Sequence, residues 1–259
     1  MSQVKMEASG ESKILQRPDG RTYATLRPLS SSLSMLTRAD GSAKFSCGQT
    51  SILAAIFGPI APRNEARAHM SRATISVVIS KRSCLTHNNT GNVREMEFFI
   101  ANALGACVIT EQYPRTMIEV VVEVLKGDGS ILGTTVNAAV LALMDAGIMM
   151  RSLPIATTCV ISDNSIIKLD PTADEETEDG SASVVLVTES NVTVTSSNKG
   201  GGNANLVGST TFGLCTTPEK FLACVEAASR ASSAVVAFMR LAMEQKLQRE
   251  AVTLWSDDS

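Results

Sequence analysis

A strand, a tight turn and a buried helix follow one another between residues 116 and 149, and this unit constrains the fold most strongly. Apolar residues recur at every second position of its first segment: Ile118, Val120, Val122 and Val124. Such alternation is typical of a β-strand with one buried face. The Gly-Asp-Gly-Ser sequence at 127–130 predicts a turn, and the Ala-rich residues 135–149 predict a helix that is apolar on nearly every side. The chain therefore contains a strand–helix unit whose helix is buried.

A second Asp-Gly-Ser sequence, at residues 40–42, predicts a hairpin in the first part of the chain. The apolar residues 51–57 predict a buried strand that ends at Gly58-Pro59. Gly41 and Gly129 are each expected to adopt a positive φ, where a side chain is unfavourable. The recurrence of the turn indicates a weak internal similarity between two parts of the chain.

The remaining elements are predicted from the same periodicities. Strands are expected at residues 73–80, 156–162, 165–169, 182–188 and 192–196, and a helix at 93–108. Thr217-Pro218 predicts the start of a last helix that runs to about Gln245. Five of its apolar residues are expected to face the core: Phe221, Leu222, Val225, Val236 and Met239. Residues 1–16 and 249–259 are predicted to be polar tails, which leaves one domain over residues 17–248.

Charge and apolar content narrow the functional classes. The net charge of −3 and the pI near 5.5 argue against a surface that binds nucleic acid everywhere, so such contact requires a local basic patch. The longest near-apolar stretch noted, residues 138–150, is too short for a membrane span and contains Asp145. No signal-peptide pattern is present at the N-terminus, so a soluble intracellular protein is expected.

Motifs for metal or nucleophilic catalysis are missing from the sequence. The only histidines are His69 and His87, and there is no HExxH, GxSxG or Walker-type motif. The Lys-Gly-Gly-Gly-Asn sequence at residues 199–203 predicts a surface loop. It does not indicate a phosphate site, because its glycines do not form a GxGxxG motif between a strand and a helix. The six cysteines form no CxxC pair and are predicted to be reduced and mostly buried: Cys47, Cys84, Cys107, Cys159, Cys215 and Cys224. No metal or cofactor is expected.

A basic cluster brackets the strand predicted at 73–80. Its members are the candidate RNA-binding residues: Arg63, Arg67, Arg72, Lys81 and Arg82. Eight extended residues span about 26 Å, so the two ends of the strand cannot form one compact site. They could line a track for a phosphodiester chain, and the alternative interpretation is a solvated loop edge.

An acidic run follows the strand predicted at 165–169. It contains six carboxylates: Asp170, Asp174, Glu175, Glu176, Glu178 and Asp179. Paired carboxylates can perform acid–base catalysis. A run of this length in a loop bounded by proline and glycine nevertheless favours a solvated tip.

The sequence resembles the RNase PH family, which contains phosphate-dependent 3′-to-5′ exoribonucleases and the RNase PH-like subunits of the exosome ring. Matching motifs extend over most of residues 17–245: Ala-Asp-Gly-Ser-Ala at 39–43, Gly-Gln-Thr at 48–50, Gly-Pro at 58–59, Ser-Arg-Ala-Thr at 71–74, Tyr-Pro-Arg-Thr at 113–116, Asp-Gly-Ser at 128–130, Asn-Ala-Ala at 137–139, Ala-Leu-Met-Asp-Ala-Gly at 142–147 and Leu-Asp-Pro-Thr at 169–172. The chain is most similar to the small ring subunits that lack cap-type extensions. The resemblance implies an α/β fold of two βαβα-type halves with mixed sheets and intervening helices.

The resemblance also implies that this chain is catalytically silent. Active members hold phosphate with an arginine placed just after the turn at 128–130, where this chain has Ile131 and Leu132. Phosphate must approach a polyanion, so cationic side chains are a physical necessity there. The family's helix arginines correspond here to three uncharged residues: Phe98, Asn102 and Gly105. Its paired aspartates correspond to Asp170 and Glu176, and no catalytic residue is expected.

The implied role is a non-catalytic ring subunit of a eukaryotic-type exosome. Its partners would be other RNase PH-like subunits, cap subunits, an associated hydrolytic nuclease and RNA. No association with a membrane is expected. The protein would be found in the nucleus, including the nucleolus, and in the cytoplasm. The alternative is a phosphorolytic exoribonuclease that uses Asp170 and Glu176 with arginines from a neighbour, since the chain's nearby cations, Arg94 and Arg115, do not match the family positions. A third possibility is a stand-alone homo-oligomer that binds nucleic acid.

Overall fold

The fold is taken from a computed structural model of the chain. The structure describes residues 17, 19–62, 69–80, 93–162, 166–178, 180–190, 205–213 and 217–256, with side chains of the last segment up to residue 252. These residues form two β-sheets, four α-helices and a short 3₁₀ turn at Thr110–Gln112. The mixed α/β fold predicted from the sequence is confirmed.

The first sheet contains five strands. They are β1 (Leu29–Leu33), β2 (Gly41–Cys47), β3 (Thr50–Ile60), β4 (Thr74–Ile79) and β5 (Met117–Lys126). The strand order is β1-β2-β3-β5-β4, with β4 parallel to β5 and all other pairs antiparallel. The predicted inward face of β5 is confirmed, because its four alternating apolar residues are buried.

The second sheet contains four antiparallel strands. They are β6 (Leu153–Ile161), β7 (Ile167–Leu169), β8 (Ala182–Ser190) and β9 (Asn205–Phe212), in the order β7-β6-β8-β9. The partner of β8 was predicted at residues 192–196, which lie outside the described residues, as do residues 199–203. In the described part of the chain β8 pairs instead with β9.

The helices are α1 (Val93–Cys107), α2 (Ile131–Asp145), α3 (Ala173–Glu176) and α4 (Pro218–Ser256). Helix α2 contacts strands of both sheets, and its residues 132–143 are all buried, which confirms the predicted buried helix. It begins four residues earlier than predicted. The hydroxyls of Thr134 and Thr135 donate to the carbonyls of Ser130 and Ile131, so their polar groups are satisfied within the helix.

Asn137 docks α2 on the second sheet. Its amide nitrogen donates to the carbonyl of Ala156 at 2.9 Å, and its amide oxygen accepts the N–H of Ala156 at 2.9 Å. A buried amide whose donor and acceptor are both satisfied fixes the relative position of the helix and β6.

The hairpin predicted at Asp40-Gly41 is present, because β1 and β2 pair antiparallel on either side of residues 34–40, but two details of the prediction are wrong. The two-residue turn at Gly48-Gln49, where Gly48 has φ +57°, belongs to the next hairpin, between β2 and β3. Gly41 is not among the described positive-φ glycines, whereas Gly129 is, with φ +74°. Strand β3 does not end at Gly58-Pro59 but continues to Ile60.

Helix α4 is longer than predicted. It continues beyond Gln245 to Ser256, through most of the segment expected to be a polar tail. Val236 and Met239 are buried as predicted, Phe221 and Val225 are half-buried, and Leu222 is 64% exposed, so its predicted core position is wrong. The domain bounds of 17–248 stay a prediction.

Helix α4 has the length and composition of a possible membrane span. Its residues Pro218–Val252 contain an 18-residue window with a mean hydropathy of 1.4. Part of that apolar surface packs on the second sheet, where Cys224 and Ala228 are fully buried beside Leu186. The described fold buries 33% of that window, and the sequence prediction overlooked this stretch.

Candidate functional site

The centre of the site is a buried ion pair between Arg27 and Asp170. Nη2 of Arg27 lies 2.7 Å from Oδ1 of Asp170, and its Nε donates to Oδ2 at 3.0 Å. The backbone N–H of Arg27 donates to the same Oδ2 at 2.9 Å. Arg27 is 5% exposed and Asp170 is 3% exposed. The two planar groups thus form a bidentate pair shielded from water.

Arg27 also connects Asp170, the first residue of the acidic run, to the turn before α2. Its Nη1 donates to the carbonyl of Asp128 at 2.5 Å, and its Nη2 donates to the carbonyl of Gly129 at 3.4 Å. The hydroxyl of Thr50 reaches the same turn and donates to the Gly129 carbonyl at 2.8 Å. One guanidinium therefore joins the segment before β1, the turn at 128–130 and the loop after β7.

The electrostatics of the pair hold both groups charged. Burial alone would raise the pKa of Asp170, but the hydrogen bonds and the charge of Arg27 outweigh burial and lower it. Burial opposes the charge on Arg27, yet its contacts with Asp170 raise the pKa of the guanidinium. Burial and the neighbouring carboxylate raise the pKa of Cys47, whose thiol donates to Oδ2 of Asp170 at 3.0 Å.

Asp170 is held in an uncommon backbone conformation. Its φ of +50° lies in the left-handed region, which costs a non-glycine residue on the order of 1 kcal/mol. The surrounding hydrogen bonds compensate this strain because they fix both carboxylate oxygens and the backbone. Asp170 is ionised and enclosed in this state, and both of its carboxylate oxygens accept hydrogen bonds.

Glu176, the second candidate carboxylate, lies over the start of α2. Its Oε1 accepts the backbone N–H of Ser130 at 2.8 Å. Burial raises the pKa of Glu176, and the hydrogen bond from Ser130 opposes that rise. The amide N–H before the first turn of α2 is the type of donor that binds anions, and here the chain's own carboxylate occupies it.

The acidic run as a whole is not the solvated tip that the sequence predicts. Glu175 is 3% exposed, completes a capping box with Thr172, and lies 3.3 Å from Nε of Arg17. Lys168 pairs with Glu178 at 2.8 Å. The prediction holds only for the outer positions, since Asp174 and Glu178 are exposed while Asp179 lies outside the described residues. Arg17 and Arg27, which lie far away in the sequence, pair with the inner carboxylates Glu175 and Asp170, and Lys168 lies 3.9 Å from Glu175 as well.

The candidate RNA-binding residues are only partly described. Arg63, Arg67, Lys81 and Arg82 lie outside the described residues, so their role as RNA contacts stays a prediction. Arg72 is exposed and lines a surface groove of about 290 Å³ between the start of β4 and α1. His69, Asn102 and Gly105 line the same groove.

The positions expected to carry anion-binding arginines have no cationic side chain here. Leu132 is 6% exposed and packs in the core cluster, and Ile131 packs against the same cluster. In the described residues, no three His, Cys, Asp or Glu side chains are grouped to hold a metal ion. Cys47, Cys107, Cys159 and Cys224 are free and buried as predicted, whereas Cys84 and Cys215 are not described.

Glu176→Gln is expected to keep the fold and to alter its pH dependence. A carboxyl whose folded pKa lies above its ordinary value of 4.5 stabilises the fold while protonated, and loses that contribution as the pH rises through its folded pKa. Glutamine does not titrate and can still accept the Ser130 N–H. Urea unfolding of both proteins should therefore show the variant gaining stability relative to the parent as pH rises above about 4.5. A constant difference across that range would contradict the raised pKa.

Comparison with known proteins places these features in a family. The model of the 3′ exoribonuclease family, domain 1, matches residues 25–149, and the model of domain 2 matches residues 152–231. An Arabidopsis thaliana protein described as "Exosome complex exonuclease RRP46 homolog" is 31% identical over 239 residues, which cover 89% of this chain and 97% of the relative.

Solved structures agree with the fold. The crystal structure of rice (Oryza sativa) Rrp46 superposes with a TM-score of 0.73 at 30% sequence identity, over 86% of this chain and 98% of that chain. A chain of the Archaeoglobus fulgidus exosome, solved with RNA bound to the active site, has a TM-score of 0.68 at 18% identity, over 86% of this chain and 92% of that chain. The second likeness bears on the fold alone.

Proposed function

The chain belongs to the RNase PH family of 3′ exoribonucleases, and we propose that it is a non-catalytic RNase PH-like subunit of an exosome core ring. The Arabidopsis relative supports a place in an exosome because it is described as an exosome protein and is covered over 97% of its length. In this role the chain assembles with other RNase PH-like subunits and guides RNA 3′ ends, while cap subunits and a hydrolytic nuclease complete the complex.

The observation that carries the proposal is the engagement of both candidate carboxylates by the protein itself. Asp170 is locked to Arg27 through two side-chain hydrogen bonds, and Glu176 accepts the Ser130 N–H. A phosphorolytic site must instead leave donors free for inorganic phosphate and place cations beside the scissile linkage. Ile131, which follows Ser130, supplies no cation.

The isolated protein is expected to release no nucleoside diphosphates from RNA in phosphate buffer. The measurement is a time course with 3′-labelled and 5′-labelled single-stranded RNA, with and without inorganic phosphate, resolved on a denaturing gel. Glu176→Gln is the second test variant, because it removes the other candidate carboxylate and retains the acceptor for the Ser130 N–H. Phosphate-dependent shortening by the parent that Asp170→Asn abolishes would overturn catalytic silence.

The ring role requires a separate measurement. Affinity purification of the tagged chain from its native cells should recover other RNase PH-like proteins in amounts comparable to that of the tagged chain itself. Imaging of the same tagged chain should place it in the nucleus, nucleolus and cytoplasm. If the purification recovers only further copies of this chain, the stand-alone homo-oligomer is favoured.

A phosphorolytic exoribonuclease remains the second candidate function. The description of the Arabidopsis relative as an exonuclease favours it, as does the presence of two carboxylates, Asp170 and Glu176, at one site. It would require arginines from a neighbouring subunit to bind the phosphate. Activity that arises only in the assembled complex and disappears with Asp170→Asn in this chain would establish it.

A further inference from the structure

A narrow cavity lies in the interior where α2, β6 and α4 meet the segment that enters β1. Its polar lining includes Thr134, Asn137, Thr157 and Asp170, and we name it the seam cavity. About 20 Å³ of it can hold the centre of a water molecule, and a water site needs roughly 10–15 Å³ on that measure. The seam cavity therefore has room for one water molecule and for no larger ligand.

Thr157 on β6 carries the polar group of the seam cavity that lacks a protein partner. The residue is 4% exposed, and its hydroxyl oxygen is buried without a hydrogen-bond partner among the described residues. Buried hydroxyls in folded proteins are nearly always hydrogen-bonded, because it is costly to transfer an unpaired one out of water. The hydroxyl of Thr157 therefore requires a partner that the described protein groups do not supply.

The polar groups on the α2 wall of the seam cavity are already held by the protein but can accept further bonds. The hydroxyl of Thr134 donates to the carbonyl of Ser130 at 2.7 Å. The amide oxygen of Asn137 accepts the N–H of Ala156 at 2.9 Å. Each of these two oxygens has a second lone pair. A ligand that accepts from Thr157 and donates to such oxygens would satisfy the cavity.

The charge around the seam cavity excludes an ion as its ligand. Among the described residues that line it, Asp170 is the one that is charged, and Arg27 neutralises it through bonds at 2.7 and 3.0 Å. A bound cation or anion would place an uncompensated charge in the interior, which is strongly unfavourable. The ligand is therefore small, neutral and able both to donate and to accept hydrogen bonds.

We propose that the seam cavity binds one water molecule, which accepts a hydrogen bond from the Thr157 hydroxyl and donates to oxygen atoms of α2. The water connects β6 to α2 at a point where no described protein group satisfies Thr157. A buried water held in this way is part of the fold and is costly to remove. The proposal is independent of the function proposed above, because it follows from the packing of the chain alone.

Magnetic relaxation dispersion of water oxygen-17, which counts long-lived buried water molecules, tests the proposal on the full-length chain. Thr157→Val keeps the shape of the side chain but removes the hydroxyl, and should hold one long-lived water fewer than the parent. Thr157→Ser keeps the hydroxyl and should hold the same number as the parent. Thr135→Val is the matched control, because buried Thr135 donates to the carbonyl of Ile131 and is not among the described residues that line the seam cavity.

The melting temperature distinguishes a bound water from an unpaired hydroxyl. If the water is bound, Thr157→Val removes one of its partners and should lower the melting temperature by about 2–4 °C. If the hydroxyl has no partner, the same substitution relieves the cost of its burial and raises the melting temperature. A raised melting temperature or an unchanged water count would overturn the proposal, and a lower count without a raised melting temperature supports it.

A crystal structure of the parent keeps the proposal testable even if Thr157→Val does not fold. Its electron density should show an ordered water within about 3 Å of the Thr157 hydroxyl oxygen. Well-defined density for Thr157 and α2 without such a water would show that the proposal is wrong.

Discussion

Arg27→Ala is expected to lower the free energy of unfolding by about 3–5 kcal/mol, because it leaves a buried carboxylate without its counter-charge. Asp170 would lose the guanidinium bonds at 2.7 and 3.0 Å while it remains enclosed. The turn at 128–130 would lose the donors that reach the carbonyls of Asp128 and Gly129. Urea unfolding near neutral pH, monitored by circular dichroism, measures the change.

The pH dependence identifies the cause of this destabilisation. The folded pKa of Asp170 lies below its ordinary value of 3.8, so the stability from the pair is present above 3.8 and is lost as pH falls through the lower folded value. The difference between parent and Arg27→Ala should therefore shrink on acidification, when a protonated Asp170 needs no counter-charge. A difference that stays constant would mean that lost packing, not the ion pair, is responsible.

A double variant is the matched control. Arg27→Met with Asp170→Asn removes both charges, and should recover part of the stability lost by Arg27→Ala, since asparagine tolerates the left-handed backbone at residue 170 and no buried charge is left without its partner. Equal destabilisation by the single and double variants would contradict the electrostatic explanation.

Gly41→Val is expected to lower the free energy of unfolding by about 3 kcal/mol through collision with the backbone. A Cβ at Gly41 would lie 2.3 Å from the nitrogen of Ala146 and 2.6 Å from the carbonyl oxygen of Ala142. Strand β2 and the end of α2 would have to separate, and the bond from the Ser42 N–H to Asp145 at 2.8 Å would weaken. Thermal unfolding of the purified variant measures the loss.

Gly20→Ala separates close approach from backbone strain. Gly20 has φ +76°, but a Cβ at this position would have no described atom within 4 Å, so alanine should cost only about 1 kcal/mol. If Gly41→Ala were as mild as Gly20→Ala, the close contact between β2 and α2 would be wrong.

The Gly41 result illustrates how a sequence signal can identify an important residue for the wrong reason. Asp-Gly is a frequent hairpin turn, so a positive φ was the expected explanation for glycine. In the structure Gly41 is the first residue of β2, is not among the positive-φ glycines, and faces the end of α2 across more than 100 residues of sequence. The residues that favour a turn are neighbours in the sequence. The requirement for glycine at position 41 arises instead from a contact between segments that are distant in the sequence.

The acidic run shows the same division. Six carboxylates within ten residues predict a solvated loop, because Lys168 is the one cation near them in the sequence. Arg17 and Arg27 neutralise Glu175 and Asp170 from a segment about 150 residues earlier. Burial of these carboxylates is possible only after the first and second sheets have come together.

The amino-acid pattern was sufficient to predict the elements whose periodicity is built into the backbone. The alternation of β5, the apolar character of α2 and the existence of α1 follow from repeats of two and 3.6 residues, and family motifs identified their arrangement. Which charges meet depends instead on the folded chain. The fold joins Asp170 to Arg27, brings Glu176 to the Ser130 N–H, and leaves Phe98 exposed on the helix that borders the groove of Arg72. Such pairings follow from the path of the whole chain, because side chains that are far apart in sequence meet only where the packed sheets and helices bring them together.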